Sequence, residues 1–193
     1  MVPLQPARQR RSRIASTQAV SAGASIAVMT PPGFRGIFRD DEDARGVYSE
    51  AAGIARIMPR AVAVPEDADD VVTLATWAQA THTPLIPRGA GSSMAGAAIG
   101  DGVIVDLSRL STIGSVDPVT KRVWVGPGAV RDAVNAAAAA HELWFPVDPS
   151  SGAWATIAGM AATNAAGPHS MKHGAMRHWV TALECVFDDG SRA

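Results

Sequence analysis

The chain has 193 residues, of which 47% are apolar and 18% are charged, and its formal net charge is −1. This balance excludes an intrinsically disordered protein, and the absence of a basic surplus argues against a dedicated nucleic-acid binder. The single cysteine, Cys185, excludes an intrachain disulfide and a cysteine-based zinc or iron–sulfur site, and no apolar run is long enough for a transmembrane helix.

The amino-terminal segment is basic, because residues 1–28 contain arginines and no acidic residue. We predict a disordered tail over residues 1–28, followed by a lead-in segment over residues 29–57. Two alternatives stay open. A basic start before a modestly apolar stretch also suits an export signal, and translation from Met29 would remove the tail altogether.

Regular strand and helix patterns begin after Arg60. Ala61–Val64 is a short apolar strand, apolar residues recur at helical spacing from Val71 to about His82, and Leu85 begins the next strand. Because strand, helix and strand follow one another within about 30 residues, they predict a βαβ unit and a partly parallel sheet. A further strand is predicted over residues 102–107.

The second half of the chain predicts a mixture of short elements. In chain order they are a hairpin of strands 113–116 and 122–125, a helix over 129–141, a helix over 155–163, a loop over 164–177 and a long strand over 179–187. This alternation indicates an α/β or α+β protein with parallel and antiparallel pairs. In the last strand Cys185 alternates with Leu183 and Phe187, which predicts a core thiol, and most of the five tryptophans are also predicted to be core residues.

A run of small residues, PRGAGSSMAG, occupies positions 87–96 between two predicted strands. Backbone N–H groups of such a loop can approach an anion without obstruction by side chains, although a simple tight turn is the plainer alternative. A dinucleotide-binding fingerprint does not fit, because the third glycine comes two positions late and no helix precedes the strand that ends in Asp106. A P-loop does not fit either, because no Gly-Lys-Ser/Thr follows.

Two blocks of sequence carry a family resemblance. The runs PRGAGSS at 87–93 and GVIVDLSRL at 102–110 resemble the FAD-binding domain of the vanillyl-alcohol oxidase / p-cresol methylhydroxylase superfamily. The second block agrees in order and spacing, with DPSS at 148–151, TIAGM at 156–160, ATNAAG at 162–167 and KHG at 172–174. The most similar branch contains the flavin subunit of glycolate oxidase and the D-lactate dehydrogenases. The resemblance covers about residues 58–193 and implies an α+β, PCMH-type FAD-binding domain with mixed parallel and antiparallel sheets flanked by helices.

The resemblance also implies FAD as the cofactor, held by backbone amides around its pyrophosphate and by a second wall near the isoalloxazine. The residues implied to contact it are Pro87, Arg88, Gly89, Ala90, Gly91, Ser92, Ser93, Gly96, Pro149, Ser150, Ser151, Thr156, Gly159, Ala162, Asn164, Gly167 and Gly174. Ser92 stands where some relatives carry a histidine bonded to the flavin, so we expect non-covalent binding. Ala97 and Ala158 stand where relatives often have glycine, and alanine there would be strained if φ were positive.

The activity implied by the resemblance is oxidation of a 2-hydroxy acid of the glycolate or D-lactate type, with hydride passing to flavin N5. Its substrate residues would lie in a carboxyl-terminal domain, so we expect residues 58–193 to be an FAD domain incomplete at its C-terminus, and we assign no catalytic residue. A non-catalytic FAD-binding fragment and an electron-transferring flavin subunit with partner chains remain alternatives. We expect a cytoplasmic location, with attachment to the inner membrane only through partners; the substrate and the electron acceptor stay open.

Three histidines, His169, His173 and His178, invite a metal interpretation. Pro168 and Gly174 flank the first two and indicate a loop, and the segment contains no carboxylate, so the sequence disfavours a metal site. His169 or Lys172 could instead hydrogen-bond the flavin or the substrate, with solvated loop residues as the alternative.

Overall fold

A computed structural model describes residues 28–193, so the predicted tail lies, except for Val28, outside the described residues. Its sheet contains four strands: β1 (Ile37–Arg39), β2 (Ala61–Val64), β3 (Leu85–Arg88) and β4 (Val103–Asp106). The spatial order is β1-β2-β4-β3, with β2, β4 and β3 parallel and β1 antiparallel to β2. The predicted partly parallel sheet is therefore confirmed. The lead-in segment contributes β1 to it, and the domain limits stay a prediction.

Two helices accompany this sheet, α1 (Glu42–Val47) and α2 (Ala68–Thr81). Asp67 caps the start of helix α2, because its carboxylate accepts hydrogen bonds from the N–H groups of Asp69 and Asp70. The helix ends before His82, which has a left-handed φ of 51°. The predicted helix is confirmed, and this cap starts it earlier than its apolar pattern indicates.

The core of the sheet is built from small and β-branched residues. Ala61, Ala63, Val103 and Val105 are buried together with Leu74 of α2. All four residues of β4 are buried, as expected for a central parallel strand covered on both faces. The alanines of β2 leave room for the larger aromatic side chains of Phe38 and Trp77, which pack edge-to-face beside them.

The second half of the chain adds α3 (Arg131–Ala139), α4 (Ile157–Ala162), α5 (Ser170–His173) and a 3-10 turn at Met176–His178. Both predicted helices are confirmed with shorter limits, and the predicted loop contains α5 and the first two residues of the 3-10 turn. The predicted hairpin is reduced to single bridges, Ile113 with Val125 and Asp117 with Arg122. A second core joins α4 to the 3-10 turn through Val147, Ala155, Met160 and Met176.

The predicted long strand over residues 179–187 is wrong. Within residues 28–193 this segment pairs with no strand, and its one ladder contact is the bridge between Val186 and Arg192. Leu183 and Phe187 are exposed and Cys185 is half-buried, so the prediction of a core thiol is wrong as well. An alternating pattern produces a strand only where a neighbouring strand takes up its backbone hydrogen bonds.

The prediction that most tryptophans are core residues is also wrong. Trp124, Trp144, Trp154 and Trp179 are 42–68% exposed, and only Trp77 packs on a core. These four tryptophans lie outside the helices and strands. In such segments the spacing of apolar residues does not predict which side chains are buried. No helix in the described part of the chain is long and apolar enough to cross a membrane.

Candidate functional site

The glycine loop, residues 89–93, leaves the sheet at the carboxyl ends of the parallel strands β3 and β4. The carbonyl of Arg88 accepts a hydrogen bond from Leu107 N–H at 2.9 Å, which holds the start of the loop beside the end of β4. Gly91 has a φ of 68°, a conformation that glycine adopts without strain. Ligands of open parallel sheets bind outside this edge, so the loop occupies a position suited to one.

Within the described part of the chain, the backbone N–H groups of the glycine loop have no hydrogen-bond acceptor. Throughout residues 28–193, no group accepts a hydrogen bond from the amides of residues 89–93, while the Gly91 carbonyl accepts from Ala52 N–H at 3.0 Å. Successive free amides that point away from packed backbone form a concave site for an anion. The loop lacks large side chains, so such an anion can approach the backbone closely.

Arg88 supports the glycine loop from below. Its Nη1 donates hydrogen bonds to the carbonyls of Glu50 at 2.8 Å and Ala98 at 3.1 Å, and its guanidinium lies 5.2 Å from the centre of the Tyr48 ring. A Cβ built on Gly91 would lie 2.5 Å from Arg88 Nη2, so the side chain fills the space beneath that glycine. The sequence predicted that Arg88 contacts the cofactor through its backbone amide. The structure shows in addition that its side chain binds the lead-in segment through the Glu50 carbonyl.

Tyr48 completes this arrangement, which we call the Tyr48–Arg88–Asp106 cluster. The Tyr48 hydroxyl donates to Asp106 Oδ2, and Asp106 Oδ1 accepts from Ser108 N–H at 2.8 Å. Burial, and then the hydrogen bond to Asp106, raises the pKa of Tyr48 to about 12, so the phenol stays a donor at neutral pH. Both carboxylate oxygens of Asp106 therefore accept hydrogen bonds from within the fold, so Asp106 does not serve as a ribose-binding acid.

Sequence reasoning missed Tyr48 and Glu50, since the lead-in segment carries no motif. One feature of the sequence could have indicated such partners. Arg88 ends a strand of the sheet, and a guanidinium held against packed backbone requires hydrogen-bond acceptors from another part of the chain.

The second sequence block lies against the glycine loop. A Cβ built on Gly89 would overlap the Oγ1 of Thr156, a buried residue that immediately precedes α4. Ile157 and Ala158 donate backbone hydrogen bonds to Ala129 at 2.8 Å and Pro127 at 3.2 Å, which fix this end of α4. The structure thus brings together two predicted residues that are far apart in the sequence.

Pro149, Ser150 and Ser151 form a turn before α4. The Pro149 carbonyl accepts from Gly152 N–H at 2.9 Å and the Ser151 carbonyl accepts from Ala155 N–H at 2.7 Å. Ser150 is exposed and the other two are half-buried. Their serine hydroxyls therefore remain available at the surface.

Asp148 and His169 join the turn to the segment that follows α4. His169 Nδ1 pairs with Asp148 Oδ2, and His169 N–H donates to Asp148 Oδ1 at 3.3 Å. A Cβ on Gly167 would overlap the same carboxylate, so glycine is required there. Partial burial acts to raise the pKa of Asp148, but the hydrogen bonds from His169 outweigh it and hold that pKa below its usual value.

Three further predicted residues occupy turns, whereas Pro87 lies in β3 and Gly159 lies in α4. Gly96 and Gly174 have φ values of 78° and 77°, and Asn164 has a φ of 48°, its side chain accepting from Arg177 N–H at 3.0 Å. Ala162 is exposed at the end of α4.

The strain considered for two alanines is not present. Ala97 and Ala158 are absent from the residues with positive φ, so a methyl group costs no backbone strain at either position.

The three histidines do not converge. His169 pairs with Asp148, His173 stacks edge-to-face on Trp144, and His178 Nδ1 lies 3.3 Å from the Ala175 carbonyl. Over residues 28–193, no three histidine, cysteine or acidic side chains are grouped as a metal ion would need.

Comparison with known proteins gives one family match and a set of relatives. The family described as FAD binding domain matches residues 59–192. The chain is 36% identical over 164 residues to D-2-hydroxyglutarate dehydrogenase of Pseudomonas putida, covering 83% of this chain and 16% of that protein. It is 30% identical over 156 residues to glycolate oxidase subunit GlcD of Escherichia coli, covering 80% and 31% respectively. The chain thus spans less than a third of the length of these two relatives.

A solved structure supports the fold. The 6-hydroxy-D-nicotine oxidase of Arthrobacter nicotinovorans superposes with a TM-score of 0.74 at 21% sequence identity, covering 86% of this chain and 37% of that one. At this identity the likeness concerns the fold alone, and it agrees with the expected mixed sheet flanked by helices.

Proposed function

Because the chain belongs to the FAD binding domain family, of the PCMH type, and its cofactor is FAD, we propose that it forms the pyrophosphate-binding part of a flavin-dependent oxidoreductase for 2-hydroxy acids. The free amides of the glycine loop carry this proposal. A pyrophosphate is an anion with many acceptor oxygens and no donors, which suits a row of N–H groups.

The residues of the loop fit this ligand. Gly89 and Gly91 let the loop pack closely on the fold, since a side chain would overlap Thr156 at the first position and Arg88 at the second. Ser92 and Ser93 add hydroxyl donors, and both are half-buried. Residues 88–96 contain no histidine, cysteine or tyrosine, which supports non-covalent binding.

The second wall of the proposed site comprises the turn at Pro149–Ser151, Thr156, Gly159 and Ala162 of the α4 region, and the segment from Asn164 to Gly174. Its support is the contact between Gly89 and Thr156, which sets the α4 region beside the glycine loop, and the Asp148–His169 pair, which ties the following segment to the turn. Lys172, exposed on α5, would add positive charge near a bound cofactor.

Bound flavin supplies hydride acceptance, and the chain's own residues supply position and electrostatics. The glycine loop binds and orients the pyrophosphate, and positive charge near the ring favours its reduced anionic form. The relatives named for D-2-hydroxyglutarate and for glycolate support a 2-hydroxy acid as substrate. No described residue is assigned as the base.

A second candidate function is an electron-transferring flavin subunit. It is favoured by the relative that is named a subunit of glycolate oxidase. As such a subunit, the protein passes electrons from its flavin to partner chains. It is cytoplasmic and is attached to the inner membrane only through those partner chains. A single free cysteine suits a reducing compartment.

The test is direct. The chain is purified alone, its visible spectrum is recorded, and glycolate, D-lactate or D-2-hydroxyglutarate is added with a dye acceptor. Flavin bands with dye reduction support the oxidoreductase. Bands without reduction support the subunit or a non-catalytic FAD-binding fragment, and a colourless protein that takes up no added FAD contradicts the proposal.

A further inference from the structure

The lead-in segment contacts the glycine loop, although the family match begins only at residue 59. Ala52 N–H donates to the Gly91 carbonyl at 3.0 Å, and Glu50 offers its carbonyl to Arg88 at 2.8 Å. A Cβ built on Gly53 would overlap the carbonyl of Met94, just beyond the loop. Residues 50–53 therefore form the floor of the loop.

This floor is anchored in the fold. Ser49 is completely buried, its Oγ donates to the Gly46 carbonyl at 2.7 Å, and its own carbonyl accepts from Ile57 N–H at 2.9 Å. Tyr48 is anchored by its hydroxyl to Asp106, which belongs to the central strand β4. The residues that contact the loop are therefore themselves held in place by the fold, and these contacts fix the position of the loop.

We propose that residues 48–53 of the lead-in segment are a working part of the cofactor site, and that the Tyr48–Arg88–Asp106 cluster acts as a positioning device that sets the shape of the glycine loop for its anion. The inference rests on the proposed function, because it takes the anion to be the FAD pyrophosphate. Arg88 does not touch the anion in this arrangement. It spans from the Tyr48 ring and two carbonyls to the underside of Gly91, so that the free amides are already aligned before the ligand arrives.

Preorganisation of this kind acts on affinity. A loop held in its binding shape loses little conformational freedom when FAD binds, whereas a released loop must be ordered at that moment. We expect Arg88→Met to weaken FAD binding by about tenfold, the order of effect that loss of a charged hydrogen-bond donor produces. Tyr48→Phe keeps the ring beneath the guanidinium and removes only the hydroxyl, so its loss is smaller.

A matched control lies in the same segment. Arg45 Nε also donates to a backbone carbonyl, that of Pro59 at 2.7 Å, which lies outside the glycine loop and residues 48–53. Arg45→Met should reduce the thermal stability of the apoprotein and leave the FAD dissociation constant unchanged. FAD affinity, measured by flavin fluorescence on full-length protein, and apoprotein melting temperature are therefore recorded for every variant.

Arg88→Lys separates shape from charge and also covers failure of Arg88→Met to fold. Lysine keeps the positive charge but lacks the planar fork that reaches carbonyl, ring and Gly91 together. We expect Arg88→Lys to recover less than half of the lost affinity. Full recovery, together with no effect of Tyr48→Phe, would overturn the positioning role in favour of charge alone.

Tyr48 is the only tyrosine of the chain, so isotopically labelled tyrosine gives a single NMR reporter inside the cluster. We expect added FAD to shift its signals in the wild type and in Arg45→Met, and to shift them less in Arg88→Met. Wild-type binding of FAD with no tyrosine response and equal affinity in all variants overturns the inference and leaves the proposed function standing. Failure of the wild type to bind FAD at all overturns both.

Discussion

Gly89 lies directly against Thr156, although the two residues belong to different sequence blocks. There is no room for a Cβ at Gly89, because it would overlap the Thr156 Oγ1. This contact links the strand-ending loop of the sheet to the α4 region of the second core. The two sequence blocks therefore lie side by side because a glycine permits them to touch.

The first prediction concerns this contact. Gly89→Ala should destabilise the protein by about 1–3 kcal/mol, the usual cost of forcing an extra methyl into packed surroundings, and should lower FAD affinity as the loop moves away from Thr156. Chemical denaturation and FAD titration measure the two effects.

The control for Gly89→Ala is Gly46→Ala in α1, where a Cβ would meet nothing within 4 Å. Alanine in a helix is favoured over glycine by roughly 0.5–1 kcal/mol, so this variant should be neutral or slightly stabilised. Equal losses in both variants would show that the Gly89 contact has no special importance.

The second prediction is a pH dependence centred on Tyr48. Its phenol has a pKa near 10 when unfolded and of about 12 when folded, so the folded state keeps a proton that the unfolded state loses. The resulting stabilisation is complete below pH 10 and disappears as the pH rises from 10 to about 12. The stability difference between wild type and Tyr48→Phe should shrink over that range.

At neutral pH, Tyr48→Phe should cost about 1–3 kcal/mol, because the buried Asp106 loses a hydrogen-bond donor. Urea denaturation at several pH values measures both effects. A stability difference that stays constant from neutral pH to pH 12 would contradict the assignment.

The elements of the fold that could be predicted from the sequence are those whose pattern lies within a single segment of the chain. Strands β2, β3 and β4 and helix α2 follow from apolar spacing, acidic caps and proline breaks that lie within each element. The glycine loop is also local, since its residue types alone allow close approach to an anion. Local signals failed for residues 179–187, where an alternating pattern found no neighbouring strand in the described structure.

The floor of the loop was beyond sequence reasoning for a different reason. Tyr48 and Arg88 are forty residues apart, and their pairing depends on β3 and β4 being neighbours in the sheet. No pattern within either segment encodes that neighbour relation. Asp106 illustrates the same point, since in the sequence it has no visible partner and in the fold it accepts from Tyr48 and Ser108.

The third prediction concerns Asp70, whose side chain is 1% exposed. It accepts hydrogen bonds from Glu66 N–H at 2.9 Å and from Arg35 N–H at 3.1 Å, and so ties the lead-in segment to α2. Burial acts to raise the pKa of Asp70, but these hydrogen bonds outweigh it and hold the pKa below 3.8. Its stabilisation is therefore complete above pH 3.8 and is lost as the pH falls through the lowered value.

Asp70→Asn should cost about 1–3 kcal/mol at neutral pH and flatten the loss of stability in acid. Asp101→Asn is the control, because Asp101 is exposed and its pair with Arg60 lies at the surface. Acid unfolding followed by circular dichroism compares the three proteins. If the stability of Asp70→Asn falls with decreasing pH as steeply as that of the wild type, the proposed role of this carboxylate is refuted.

The fourth prediction tests whether the segment from Asn164 to Gly174 lies near the flavin ring. Lys172→Met removes a positive charge from α5 and should make the reduction potential of bound flavin more negative, because the reduced anionic ring loses a favourable charge. An exposed charge contributes about 0.2–1 kcal/mol and about 30 mV corresponds to 1.4 kcal/mol, so a shift of about 4–20 mV is expected. Lys121→Met is the matched control, since Lys121 lies in the exposed turn between Asp117 and Arg122. Dye-equilibrated reduction of the holoprotein measures both potentials, and an unchanged potential in Lys172→Met would place α5 away from the ring.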